Sequence, residues 1–154
     1  MKNFILPGFY EKFNINSQLI NLIENCPEIF HKNIKISAIY GNMGFNIWEG
    51  GRVYLSYNRA YKEDMERIRD FYHEKNIPIR LTFTNPIVNK EHLNDSYCNL
   101  ITSIFETGEN EILVNSKILE EYLRIKYPNY KFCSSTTKCI TNKEELKNEI
   151  NSYF

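Results

Sequence analysis

From Asn33 onward, short apolar runs of strand length alternate with longer segments of helical period. The run Ile34-Lys35-Ile36-Ser37-Ala38-Ile39-Tyr40 is rich in β-branched residues and closes at Gly41-Asn42, which predicts a first strand. Residues 79–84 predict a second, ended by Asn85-Pro86; residues 111–115 a third; residues 130–136 a fourth. A helix pattern follows each one. Tyr61, Met65, Ile68 and Tyr72 recur at spacings of three and four with charges between them. Leu93, Tyr97, Leu100, Ile101, Ile104 and Phe105 form one apolar face before Gly108, a natural stop. A third helix opens at Ser116, turns Leu119, Tyr122 and Leu123 inward, and ends before Pro128. The fourth starts at Asn142 with Glu145 at capping-box spacing, and points Leu146, Ile150 and Tyr153 at the core. Ahead of these units, Ser17 to about Phe30 predicts an N-terminal helix carrying Leu19, Ile20 and Ile23.

Repeated strand–helix order requires a parallel sheet, because a parallel return needs a long crossover. The prediction is therefore an α/β chain of four consecutive βα units in one domain, residues 1–154. Right-handed crossovers place successive strands side by side, in either an open doubly wound sheet or an arc of a barrel. No GxGxxG or GxxxxGK[ST] follows any strand, which argues against an open nucleotide-binding sheet. The expected architecture is the N-terminal half of a TIM-type (β/α)8 barrel. A complete barrel takes about 250 residues. Two expectations follow: the front half of a longer barrel, or a half-barrel that covers its open edges by association.

Composition narrows the function classes. Nineteen basic and nineteen acidic side chains cancel, so no global field recruits nucleic acid or an anionic membrane. No segment reaches the roughly 20 apolar residues of a membrane helix, and the apolar part of the opening run is too short for a signal peptide. A cytoplasmic location is expected. The 11 Tyr and 10 Phe make a core of large, shaped pieces plausible. Cys26, Cys98, Cys133 and Cys139 show neither a CxxC pair nor a disulfide framework, so reduced thiols packed as small apolar groups are expected, with no metal in this chain. The alternative is a metal held by Cys133, Cys139 and a distant histidine.

In parallel α/β folds the working surface lies beyond the carboxyl ends of the strands. Those ends carry Asn42, Asn85, Asn115, Ser135 and Lys138, an almost uncharged rim of hydrogen-bonding groups. The connection at residues 41–58 is long for a βα loop and contains Trp48-Glu49-Gly50-Gly51-Arg52. Arg52 offers a planar fork for carboxylate or phosphate, and Lys138 a counter-charge. Asn42, Arg52, Asn85, Asn115, Ser135 and Lys138 are thus the candidate ligand-binding set, suited to a small anion. The competing reading has the loop folded over the sheet end, with Trp48 buried and Arg52 paired to Glu49 or Asp64. Ser116 and Asn142 read as helix caps, and Arg80 as the partner of Glu111. His31, His73 and His92 read as surface or capping residues, and no catalytic set can be assembled.

The runs Leu6-Pro7-Gly8-Phe9-Tyr10, Ile36-Ser37-Ala38-Ile39-Tyr40-Gly41, Trp48-Glu49-Gly50-Gly51-Arg52, Arg80-Leu81-Thr82-Phe83-Thr84-Asn85-Pro86, Glu111-Ile112-Leu113-Val114-Asn115-Ser116 and Ser134-Ser135-Thr136-Thr137-Lys138-Cys139 resemble a family of bacterial and phage (β/α)-barrel proteins that is itself uncharacterised. That family in turn is distantly similar to the collagenase-like peptidase superfamily. The resemblance implies a longer protein whose later half carries a cysteine-rich motif for an iron–sulfur cluster. It implies an iron–sulfur-dependent or peptidase-like enzyme at full length, with this chain contributing substrate-positioning residues. The alternative is a stand-alone half-barrel that binds a small anion or a protein partner, either as a homo-oligomer or with the missing C-terminal half.

Overall fold

The computed structural model describes residues 2–50 and 59–153. Five strands, β1 (Lys2–Pro7), β2 (Ile34–Gly41), β3 (Ile79–Phe83), β4 (Glu111–Val114) and β5 (Lys131–Ser134), form one sheet in the order 1-2-3-4-5. Every neighbouring pair is parallel. Five helices alternate with them: α1 (Phe13–Asn25), α2 (Lys62–Glu74), α3 (Ser96–Ile104), α4 (Lys117–Lys126) and α5 (Lys143–Tyr153).

The count corrects the sequence expectation of four strands. β1 was missed because it lies at the sheet margin, exposed along nearly its whole length, so its side chains show no alternation. The predicted N-terminal helix is accordingly the second element of a βα unit. It also begins and ends earlier than expected, at Phe13 and Asn25, with Pro27 opening a separate short 3-10 turn.

Register explains which face is buried. Ile39 pairs with Ile79, Leu81 with Ile112, Phe83 with Val114, and Ile112 with Phe132. In a parallel ladder, partners project to the same side. These residues share one core with Met65, Ile68 and Tyr72 of α2, Ile101 of α3 and Leu119 and Leu123 of α4. An extra residue in β2 opposite the Phe4/Ile5 step lets Ile36 and Ile39, three positions apart, both join it.

The opposite face carries Tyr40, Arg80 and Glu111 in one register row, and Leu113 with Cys133 in another. All five are only half-buried. Arg80 and Glu111 form the pair read from sequence: Nε and Nη2 both reach Oε2 at 2.6 Å.

Capping residues behave as their types dictate. Asp95 Oδ1 accepts from Cys98 N at 2.8 Å, Ser116 Oγ from Leu119 N at 3.4 Å, and Asn142 Oδ1 from Glu144 N at 2.8 Å. No helix among the described residues is long and apolar enough to cross a membrane.

Candidate functional site

Two clusters form at the carboxyl ends of the strands, and they are built on opposite principles. The first lies over β2 and β3, where the chain leaves β2 as a buried loop. Asn42 is fully buried; its Nδ2 donates to Thr82 O at 3.2 Å and its Oδ1 accepts from Met43 N at 3.0 Å. Asn46 closes the next turn, with Oδ1 accepting from Trp48 N at 3.2 Å. Asn85 clamps the loop from the end of β3: its Nδ2 donates to Ile47 O at 2.7 Å and its backbone N–H to Trp48 O at 3.1 Å.

Trp48 itself is completely buried. Its ring stands edge-on to Phe83 at 5.2 Å and to Tyr122 at 6.0 Å, and Nε1 donates to His92 O at 2.8 Å. Gly50 comes so close to the end of β3 that an added Cβ would meet Thr84 O at 2.5 Å. Over residues 41–50, the reading of a loop folded over the sheet end with Trp48 buried holds. The amides of Asn42 and Asn85 are held by loop and strand backbone. Arg52, proposed to enter the same rim, lies outside the described residues, and so does its suggested pairing.

The second cluster lies past β4 and β5. Asn115 Nδ2 donates to Thr137 Oγ1 at 2.7 Å, and Thr137 Oγ1 lies 2.7 Å from Ser135 Oγ. Asn115 and Ser135 are therefore brought together, through Thr137. Ser135 also caps a short 3-10 turn, Thr136–Lys138, by accepting from Thr137 N. Its predicted place inside a longer strand is thus a turn.

Lys138 closes that turn and points at carboxylates. Its Nζ binds Glu149 Oε1, lies 3.7 Å from Glu120 Oε2, and donates to Tyr153 Oη at 3.1 Å. Ser134 Oγ donates to the same Glu149 oxygen at 2.5 Å, and Tyr153 Oη donates to Glu120 Oε2 at 2.5 Å. Burial pushes the Glu149 carboxyl up, but the Lys138 and Ser134 hydrogen bonds and the Lys138 charge outweigh it and hold the pKa below the ordinary range. Tyr153 is pushed up instead, by burial and then by its bond to Glu120.

Between β5 and α5 runs an open groove of about 560 Å³. Phe132, Ile140, Leu146, Ile150 and Tyr153 give it apolar walls, and Ser134, Ser135 and Thr136 place hydroxyl-bearing residues along it. Leu146 is 45% exposed and Ile150 48% exposed, and α5 has no buried residue. The sequence pattern had turned Leu146, Ile150 and Tyr153 toward a core; the groove is what they meet. Periodicity gives the apolar face of a helix but not its cover, so these residues escaped the candidate list.

The thiols also diverge from a uniform packed state. Cys98 is buried, Cys133 half-buried, and Cys139 exposed at φ 52°. Burial, then the Glu111 carboxylate, raises the Cys133 pKa, which disfavours a reactive thiolate. Among the described residues, no group of three or more His, Cys, Asp or Glu side chains is arranged to hold a metal ion.

Comparison with protein-family models found no match. No match was found among curated proteins or solved structures either.

Proposed function

We propose that this chain is an arc of a (β/α) barrel that works as an assembly module, and that its partner is a second copy of itself. The strand order 1-2-3-4-5 supports the arc, since doubly wound sheets reverse their order at a switch point. Uniform right-handed crossovers in one direction place every helix on the same face. Purely parallel sheets are found covered on both faces. In this one Tyr40, Glu111, Leu113 and Cys133 stand half-exposed on the face away from the core.

The observation that carries the reading is the apolar groove beside β5, a strand paired on one side only. The other margin of the sheet is its counterpart: β1 has one partner, and its Phe4 and Ile5 are 46% and 47% exposed. All strands point the same way, so β1 of a second copy can extend the ladder from β5 with the parallel geometry used throughout the sheet. A twofold axis parallel to the strands then makes both junctions at once. Phe4, on the core side with its partner Ile36, supplies apolar surface for the groove, and Ile5 supplies it on the opposite face of the same junction. A small anion fits this site less well, because the Lys138 ammonium already meets Glu149 and Glu120.

Sedimentation equilibrium from micromolar to millimolar concentration tests the proposal. A dimer is the expected species, weakened at least tenfold by Ile5→Lys, because an ammonium in an apolar contact costs more than the roughly 1.4 kcal/mol that a tenfold change represents. A monomer over the whole range overturns it. Assembly only with a separate chain of further βα units would replace the second copy by such a partner.

A further inference from the structure

The wall of the groove formed by α5 is held by charge instead of by burial. Every other helix contributes buried side chains, whereas α5 contributes none. On one side of α5 lies the apolar groove, and on the other a cleft lined by Lys117, Glu120, Arg124 and Glu144 among others. Among the described residues, the side-chain bonds from α5 to the body of the molecule converge on one network. Glu149 accepts from Ser134 of β5 and from Lys138 of the turn, and Tyr153 bridges Lys138 to Glu120 of α4. The Arg124 guanidinium adds a stacked contact, 4.3 Å from the Phe132 ring centre and 5.3 Å from that of Tyr153. These groups are mostly shielded: Lys138 and Glu120 side chains are each 14% exposed and Glu149 21%.

We infer that Lys138, Glu149, Glu120 and Tyr153 form an electrostatic latch that positions α5 and thereby forms the assembly groove. The inference rests on the assembly reading above and adds the control of that same surface. With the latch closed, Leu146 and Ile150 are held opposite Phe132 as one apolar wall. With it broken, α5 retains little that fixes it, because its apolar residues have no core to return to. The pairs are in direct contact and mostly shielded, so added salt screens them only weakly, and the latch opens when one of its members is replaced.

The test uses two readouts on the full chain. Hydrogen exchange of α5 amides is followed in the Ile5→Lys background, so that the latch is read apart from assembly. Dimer dissociation is followed by sedimentation equilibrium in the otherwise native chain. Lys138→Met and Glu149→Gln are each expected to speed α5 exchange about tenfold while β3 and β4 amides stay protected. Both should weaken the dimer, and Lys138→Arg should retain most of the native behaviour in each assay. Unchanged α5 exchange in Lys138→Met and Glu149→Gln overturns the latch, even if a dimer forms. Faster exchange with an unaltered dimer overturns its role in shaping the groove. A chain that never dimerises defeats the assembly reading and, with it, the control proposed here, although α5 exchange still reports whether the network holds the helix.

Discussion

Residues 42–50, at the start of the β2–α2 loop, and the α5 corner invert each other. In the loop, polar side chains are buried and the one tryptophan has no exposed surface. In the corner, Leu146 and Ile150 are half-exposed while a lysine and two glutamates are mostly enclosed. The loop survives burial because Asn42, Asn46 and Asn85 satisfy its backbone groups, which would otherwise cost about 1–3 kcal/mol each. The corner survives exposure because α5 is tied by ion pairs at its edge. A residue's class therefore says little about its place until its partners are known. Packing in the loop is finished, and packing in the corner is left open.

The largest test of this contrast is Trp48→Ala. Removing a fully buried indole and its bond to His92 O should cost about 3–5 kcal/mol in urea denaturation. A loss below about 1 kcal/mol would mean the loop is not a finished core element. Gly50→Ala comes next. Its Cβ would fall 2.5 Å from Thr84 O, a backbone atom that cannot swing aside, so about 1–3 kcal/mol of destabilisation is expected. A neutral result would show that the loop can lift from β3.

Acid should act at the corner. The Glu149 pKa is lowered in the folded chain, so its contribution is present above the unfolded carboxylate value and disappears as pH falls through the folded value. Protection of α5 amides, relative to their intrinsic exchange rate at each pH, should therefore fall over the acid side of the ordinary carboxylate range, and Glu149→Gln should flatten that dependence. Unaltered pH dependence in the variant would remove Glu149 from the account. The smallest effect is expected from Leu146→Lys in a dilute monomer, within about 0.5 kcal/mol of the native stability, because the side chain leaves no core. The same change should impair dimerisation, which separates a surface used for assembly from one used for folding.

The alternation of patterns along the chain was enough to derive the parallel sheet, four of its five strands, all of the helices and the Ser116 and Asn142 caps. These follow from period, β-branched runs and side-chain hydrogen bonding within a few residues, all of which are local. The Arg80–Glu111 pair was legible too, since a charge within a strand pattern calls for a partner at the next strand. β1 was not, because a strand at the sheet margin carries no alternation to read. Nor was the division of the strand-end rim, where Asn42 and Asn85 hold a buried loop, while Asn115 and Ser135 meet through Thr137. An asparagine side chain hydrogen-bonds whatever the fold brings within about 3 Å, and that neighbour is not encoded by spacing. The same holds for Lys138, whose carboxylate partners are brought from α4 and α5 by the packing of three elements. Sequence alone determined four of the five strands and the five α-helices, to within several residues at their ends. Tertiary structure alone decided which polar groups are already satisfied and which apolar ones still lack a cover, because both depend on contacts between residues far apart in the chain.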